Sequence, residues 1–359
     1  MRIGILTLPL HLNYGGILQA YALQNVLKRM GHEAILLDRG WIKKSFIRRL
    51  LSRIKWSLKS FCSNRKLITP QQQEKMGLKI RNFIREHIYL RAEIRAVSDI
   101  KRLNLEAIVV GSDQVWRKCY SPKDIAFYYL DFAEQWNIKR LAYAASFGIE
   151  EWDYSQEQTL CCKELLGKFI AVSVRENSGR ELCKNYLSRE AEVLLDPTLL
   201  LKANDYKTIL QIDKEPVNGD LFCYILDKNS ELQSVINLIA EKSACKPFYI
   251  DGSDCFAIVK PSVEHWLKCF ESAKFVVTDS FHGCVFSILF NKPFVVYGNR
   301  RRGITRFSSL LTELDLMDRL ISSPDEAVLK LKEEIDWKQV NSRLEELRLK
   351  SFSFLKSNL

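Results

Sequence analysis

The chain opens with an apolar run from Ile3 to Leu8 and a glycine-bearing stretch from Pro9 to Gly16. Leu18, Ala22, Leu23, Val26, Leu27 and Met30 then recur at the helical spacing, within a helix expected from Ile17 to Met30. Gly31 closes that segment, and Ala34 to Leu37 is apolar again, which completes a strand-helix-strand opening. Such runs are continuous rather than alternating, as expected for parallel strands covered by helices on both faces. Further runs at 107–110, 139–145, 169–174 and 192–195 are separated by helical patterns. Asp196-Pro197-Thr198 interrupts the series. It restarts with strands at 221–226, 247–250, 274–278 and 294–297 and helices at 229–242, 262–272 and 283–291. The pattern predicts an α/β protein of two Rossmann-like, doubly wound domains, 1–195 and 196–359, facing each other across a cleft at the carboxyl ends of their strands. A helical pattern at 324–357 has no strand after it, so it either caps the second domain or packs back onto the first.

Composition agrees with two globular units: 359 residues exceed what one core usually serves, and 47% are hydrophobic. The net charge of +11 is unevenly placed, because residues 43–102 hold 17 Lys and Arg against four acids. The rest of the chain is near neutral, which argues against a general nucleic-acid surface and marks 41–102 as a basic helical insertion. Within it Ile42, Phe46, Ile47, Leu50, Ile54 and Leu58 keep to one helical stripe beside Trp41 and Trp56. Such a helix either lies on an anionic membrane surface, each basic residue contributing about 1 kcal/mol, or docks on its own domain. Residues 2–10 are too short a run for a signal peptide, and no window reaches a membrane span, so the expected location is cytoplasmic with at most peripheral membrane contact. Ten cysteines without Cys-x-x-Cys spacing, and only five histidines, argue against a zinc site or a disulfide framework.

The most informative stretch runs from Val276 to Ser287, where an apolar strand breaks into Thr278, Asp279, Ser280 and His282 before a helical pattern resumes. Backbone N–H groups at a helix start attract an anion, so Ser280, Gly283 and the neighbouring amides are candidate ligands, and His282 beside them could move a proton near neutral pH. Asn13, Tyr14, Gly15 and Gly16 form a second strand-to-helix turn, where paired glycines let a ligand approach the backbone. Ser112 and Asp113 follow another strand, and Trp116 either stacks on a sugar ring or fills the core. Ser146 sits at a further strand end. Arg175 offers a planar fork for phosphate or carboxylate, or pairs locally with Glu176. Arg300, Arg302 and Arg306 follow the last apolar run and add positive charge.

Six blocks carry a family resemblance: Asn13 to Tyr21, Val110 to Trp116, Tyr143 to Gly148, Ser173 to Asn177, Asp196 to Leu200, and Thr278 to Gly283. Together they resemble the polysaccharide pyruvyl transferase family. The resemblance implies a glycosyltransferase-B-like pair of domains, with the acceptor on the first and the donor on the second. It further implies transfer of a pyruvyl unit from phosphoenolpyruvate to a sugar of a cell-surface polysaccharide or its lipid-linked precursor, giving a cyclic ketal and phosphate. On that reading His282 is the general acid, and the Ser280 to Cys284 helix start with Arg300, Arg302 and Arg306 holds the donor. Asp113 and Glu176 are then base candidates, Asn13, Tyr14 and Trp116 face the acceptor, and neither metal nor cofactor is needed. A nucleotide-sugar glycosyltransferase and a non-catalytic saccharide-binding protein are the alternatives on the same architecture.

Overall fold

The computed structural model describes residues 1–39, 75–121, 125–250, 259–298 and 303–359. The basic amphipathic stripe expected from Trp41 to Phe61, together with Arg300 and Arg302, lies outside the described residues. Seven strands, β1 (Arg2–Leu6), β2 (Glu33–Asp38), β3 (Arg91–Glu93), β4 (Ala107–Val110), β5 (Lys139–Ala145), β6 (Ala171–Val174) and β7 (Glu192–Val193), form one sheet in the order β3-β2-β1-β4-β5-β6-β7. Five more, β8 (Leu221–Tyr224), β9 (Pro247–Phe248), β10 (Phe275–Thr278), β11 (Phe294–Tyr297) and β12 (Leu320–Ile321), form a second in the order β12-β11-β10-β8-β9. Every pairing is parallel. Two short strands, β3 and β12, went unforeseen; β3 falls inside the expected insertion, whose residues 91–93 are the edge of the main sheet.

Strand order locates the place where a ligand should sit. In a doubly wound sheet successive helices cover opposite faces where the order reverses, and a crevice opens there at the carboxyl ends of the strands. The reversal falls between β1 and β4 in the first sheet and between β8 and β10 in the second. The loops leaving β1, β4 and β10 carry the Asn13 turn, Ser112-Asp113 and the His282 helix.

The two halves are packed together. Helix Tyr14–Arg29 starts three residues before the periodicity predicts, which places Gly15 and Gly16 in its first turn. Its Tyr14 ring stacks on Trp266 of the second half at 5.5 Å and its hydroxyl donates to the Pro261 carbonyl at 2.9 Å. One apolar cluster therefore runs from Ile3 and Leu18 through Leu199 and Tyr206 to Trp266 and Phe286. The 324–357 pattern resolves into two helices with different destinations. Helix Pro324–Lys332 buries Ala327 in the second half, while helix Trp337–Asn358 returns to the first. There Phe354 packs near Tyr143, Ser351 Oγ accepts from Leu195 N at 3.3 Å, and Arg348 donates to the carbonyls of Leu199 and Leu201 at 2.5 and 3.0 Å. Among the described residues no helix is long and apolar enough to cross a membrane.

Candidate active site

His282 is the second residue of helix Phe281–Leu289, held at the carboxyl end of β10. That helix start is largely satisfied by the protein itself. Ser280 Oγ accepts from Gly283 N at 3.4 Å, and Thr278 Oγ1 accepts from Ser280 N at 3.0 Å. The expected anion cradle at Ser280 and Gly283 is thus filled by local caps, since a serine at this position satisfies the amide that an anion would otherwise bind. The Tyr14–Arg29 helix differs, for Asn13 makes no side-chain cap and is exposed. No side-chain cap therefore covers its first turn, the place where helix amides attract an anion.

The two helix starts meet. A Cβ built on Gly15 would stand 2.0 Å from His282 Nδ1, so only glycine allows the imidazole to lie against this backbone. A second such contact closes the halves nearby: Gly303, at φ +83°, would place a Cβ 2.1 Å from the Gly148 carbonyl. Gly15→Ala is expected to displace the imidazole or part the halves; near-wild-type activity in a well-folded Gly15→Ala protein would show that the contact is dispensable.

Behind the imidazole lies a group of buried charges. Asp196, which the sequence places at the domain boundary and at the start of one block of resemblance, has a fully buried side chain, with Oδ2 3.7 Å from His282 Nε2 and 2.6 Å from Arg175 Nη1. Its Oδ1 caps the following turn, accepting from Thr198 N and Oγ1 at 3.0 and 2.7 Å. Burial alone would raise its pKa, but His282, Arg175 and Thr198 hold the carboxyl well below the usual carboxylate range. Arg175 also reaches Asp113 Oδ1 at 3.3 Å and lies over the Phe281 ring at 4.8 Å. Burial disfavours its charge, yet Asp196 and Asp113 more than offset this and raise its pKa. Arg306, on helix Thr305–Glu313, lies 5.5 Å from the same Phe281 ring. Burial first, and then the like charge of Arg175, push it down to about 10, so it stays cationic at neutral pH.

Several expected roles change with these positions. Arg175 is spent on two buried carboxylates and is not a free anion fork. Glu176 is fully buried, its Oε1 accepting from Ser146 Oγ, Phe147 N and Gly148 N at 2.9, 2.8 and 3.0 Å. Those bonds make Glu176 and Ser146 the clamp of the β5 loop rather than a base and a substrate contact. Trp116 is fully buried, stacked on Tyr129 at 5.0 Å with its indole N–H donating to the Tyr128 carbonyl, so the core reading holds and the sugar platform does not. Tyr14 likewise belongs to the packing between halves. Ser112 is spent as well, because its N–H donates to Gln19 Oε1 at 3.0 Å and its Oγ donates to the Ala144 carbonyl at 2.6 Å. Asp113 remains: it is held at φ +69°, an uncommon conformation for a non-glycine residue, with Oδ2 beside Gly16. Asn13, Gly15, Gly16, Asp113, His282 and Arg306 are therefore the expected site residues that the fold gathers.

A different cluster has metal-ligand spacing, namely Asp213, Glu215 and His265. Lys268 Nζ lies 3.5 Å from Asp213 Oδ2 and Lys79 pairs with Glu215, so lysines already supply its positive charge.

The sequence profile described as polysaccharide pyruvyl transferase matches residues 13–301, most of the chain and all six blocks of resemblance. The chain belongs to the polysaccharide pyruvyl transferase family. It is accordingly a transferase, and the matched residues take in β2 to β11, the Gly15 turn and the His282 helix. No curated protein matches its sequence. Among solved structures, a putative UDP-N-acetylglucosamine 2-epimerase from Listeria monocytogenes is similar over 97% of this chain and 90% of its own, with 10% identity and a TM-score of 0.53. UDP-N-acetylglucosamine 2-epimerase from Rickettsia bellii is similar over 99% and 95%, with 10% identity and a TM-score of 0.51. At that identity the likeness shows the fold alone, a glycosyltransferase-B-like pair of Rossmann-like halves.

Proposed function

We propose that this polysaccharide pyruvyl transferase takes its pyruvyl unit from phosphoenolpyruvate and joins it as a cyclic ketal to two hydroxyls of one sugar in a polysaccharide or its lipid-linked precursor. The observation that carries the reading is the meeting of His282 with the Gly15 turn, between the switch points of two facing sheets. A donor with one phosphate and one carboxylate suits the uncapped amides of the first helix and the buried guanidinium of Arg306.

In the reaction, His282 gives a proton to the donor's methylene carbon, which becomes a methyl group, while the first sugar hydroxyl adds to C2 and yields its proton to a base. The C2–O bond to phosphate then breaks, and the second hydroxyl adds to the same carbon. Its proton leaves with the phosphate, so two hydroxyl protons balance one C–H bond and one phosphate proton. Asp113, whose Oδ2 lies beside Gly16, is taken as the base. Among the described residues, the carboxylates of Asp113, Glu176 and Asp196 stand near Arg175, and those of Asp113 and Glu176 also near Arg306.

The test is incubation of the purified protein with phosphoenolpyruvate and a panel of polyprenyl-diphosphate saccharides, followed by phosphate and product-mass measurement. Phosphate release with a ketal-sized mass gain on one saccharide is the expected result. Thermal stabilisation by UDP-sugars with no response to phosphoenolpyruvate would instead favour a nucleotide-sugar transferase.

A further inference from the structure

We propose that Asp196 is the positioning residue of His282: it holds the proton on Nε2 and fixes the ring so that Nδ1, the nitrogen facing Gly15, is the atom that delivers a proton to the donor. The proposal rests on the pyruvyl-transfer reading above, but its first test does not. Two observations carry it. The imidazole is pinned between two surfaces, with the Asp196 carboxylate 3.7 Å from Nε2, a charge contact longer than a hydrogen bond to an otherwise unpartnered buried nitrogen, and the Gly15 backbone against the Nδ1 edge. Asp196 is itself immobilised, since Arg175, Thr198 and Ser112 all address its two oxygens from the first sheet and the chain that follows it. An imidazole with a carboxylate at one nitrogen keeps the proton there when neutral, which leaves the other nitrogen to take up and release a proton. The orienting group thus stands on the segment joining the two halves, while the imidazole stands on the second, so the acid is set only when the halves are together.

Nitrogen-15 spectra of histidine-labelled protein test the idea without any substrate. The His282 signals are assigned by their loss in His282→Gln among the chain's five histidines. At a pH where the ring is neutral, wild type should carry the His282 proton on Nε2, and Asp196→Asn should mix or reverse the tautomers. Thr198→Ala, which removes a cap on Asp196 without touching the imidazole, should lower thermal stability yet keep the wild-type tautomer. An Asp196→Asn spectrum identical to wild type would overturn the proposal. Where turnover is found, Asp196→Asn should lower kcat about ten- to a hundredfold, the range for partners that orient a functional imidazole, with the phosphoenolpyruvate KM nearly unchanged. Equal loss in KM and kcat would count against positioning. A wild type that shows the coupled tautomer but releases no phosphate from phosphoenolpyruvate would defeat the pyruvyl reading and leave the Asp196–His282 pairing standing.

Discussion

Glutamine at position 282 should give a folded protein whose phosphoenolpyruvate-dependent phosphate release has dropped by about 10²- to 10⁴-fold, the usual worth of a positioned general acid. The substitution keeps a polar side chain of similar length beside Asp196 and adds no bulk toward Gly15, so near-native circular dichroism and melting behaviour are expected. Donor binding by calorimetry should survive, because the amides and Arg306 assigned to the anion do not belong to residue 282. Turnover within tenfold of wild type would remove His282 from the chemistry.

The second large effect is on stability. Arg175→Met leaves Asp113 and Asp196 facing each other in a dry interior without their shared counter-charge, and breaking a buried pair in this way costs about 3–5 kcal/mol. Chemical denaturation should show the loss at neutral pH. The sign with pH follows from Asp196, whose carboxyl is depressed in the folded protein: its stabilisation is present above the unfolded carboxylate range and is lost as pH falls through the folded value. With Arg175 gone that depression shrinks, so the variant should also begin to unfold at a higher pH than wild type. A loss under about 1 kcal/mol at pH 7 would show that the carboxylates have other compensation.

Much of the architecture was legible because parallel strands buried on both faces, such as β4, β5 and β10, must be written as unbroken apolar runs. Strands β3 and β12 were not, since Arg91–Glu93 and Leu320–Ile321 are too short, and the former too polar, to carry that mark. At the site, sequence located the correct loops but not the direction of each side chain. Glu176, Ser146 and Ser112 stand at strand ends where ligands bind, yet Glu176 and Ser112 turn inward to satisfy backbone groups that the loops leave unpaired, and Ser146 turns inward to bond Glu176. Trp116 and Tyr14 turn inward for apolar area instead. Asp196 carries no site role in the sequence beyond the boundary and its block of resemblance, because Asp-Pro-Thr is also how a helix cap and a chain break are spelled, and its second oxygen, the one that faces His282, leaves no trace in spacing.

The returning helix Trp337–Asn358 has a practical corollary. Its Phe354 covers the underside of the half that the first 193 residues build, Ser351 and Arg348 hold Leu195, Leu199 and Leu201 of the segment that follows, and Lys139 reaches the Leu359 carbonyl at 3.1 Å. A recombinant fragment ending after β7 would expose that underside to water, and a deletion from the carboxyl terminus would injure the opposite end of the gene product. Dissecting this enzyme into separately expressed pieces should therefore fail from either direction.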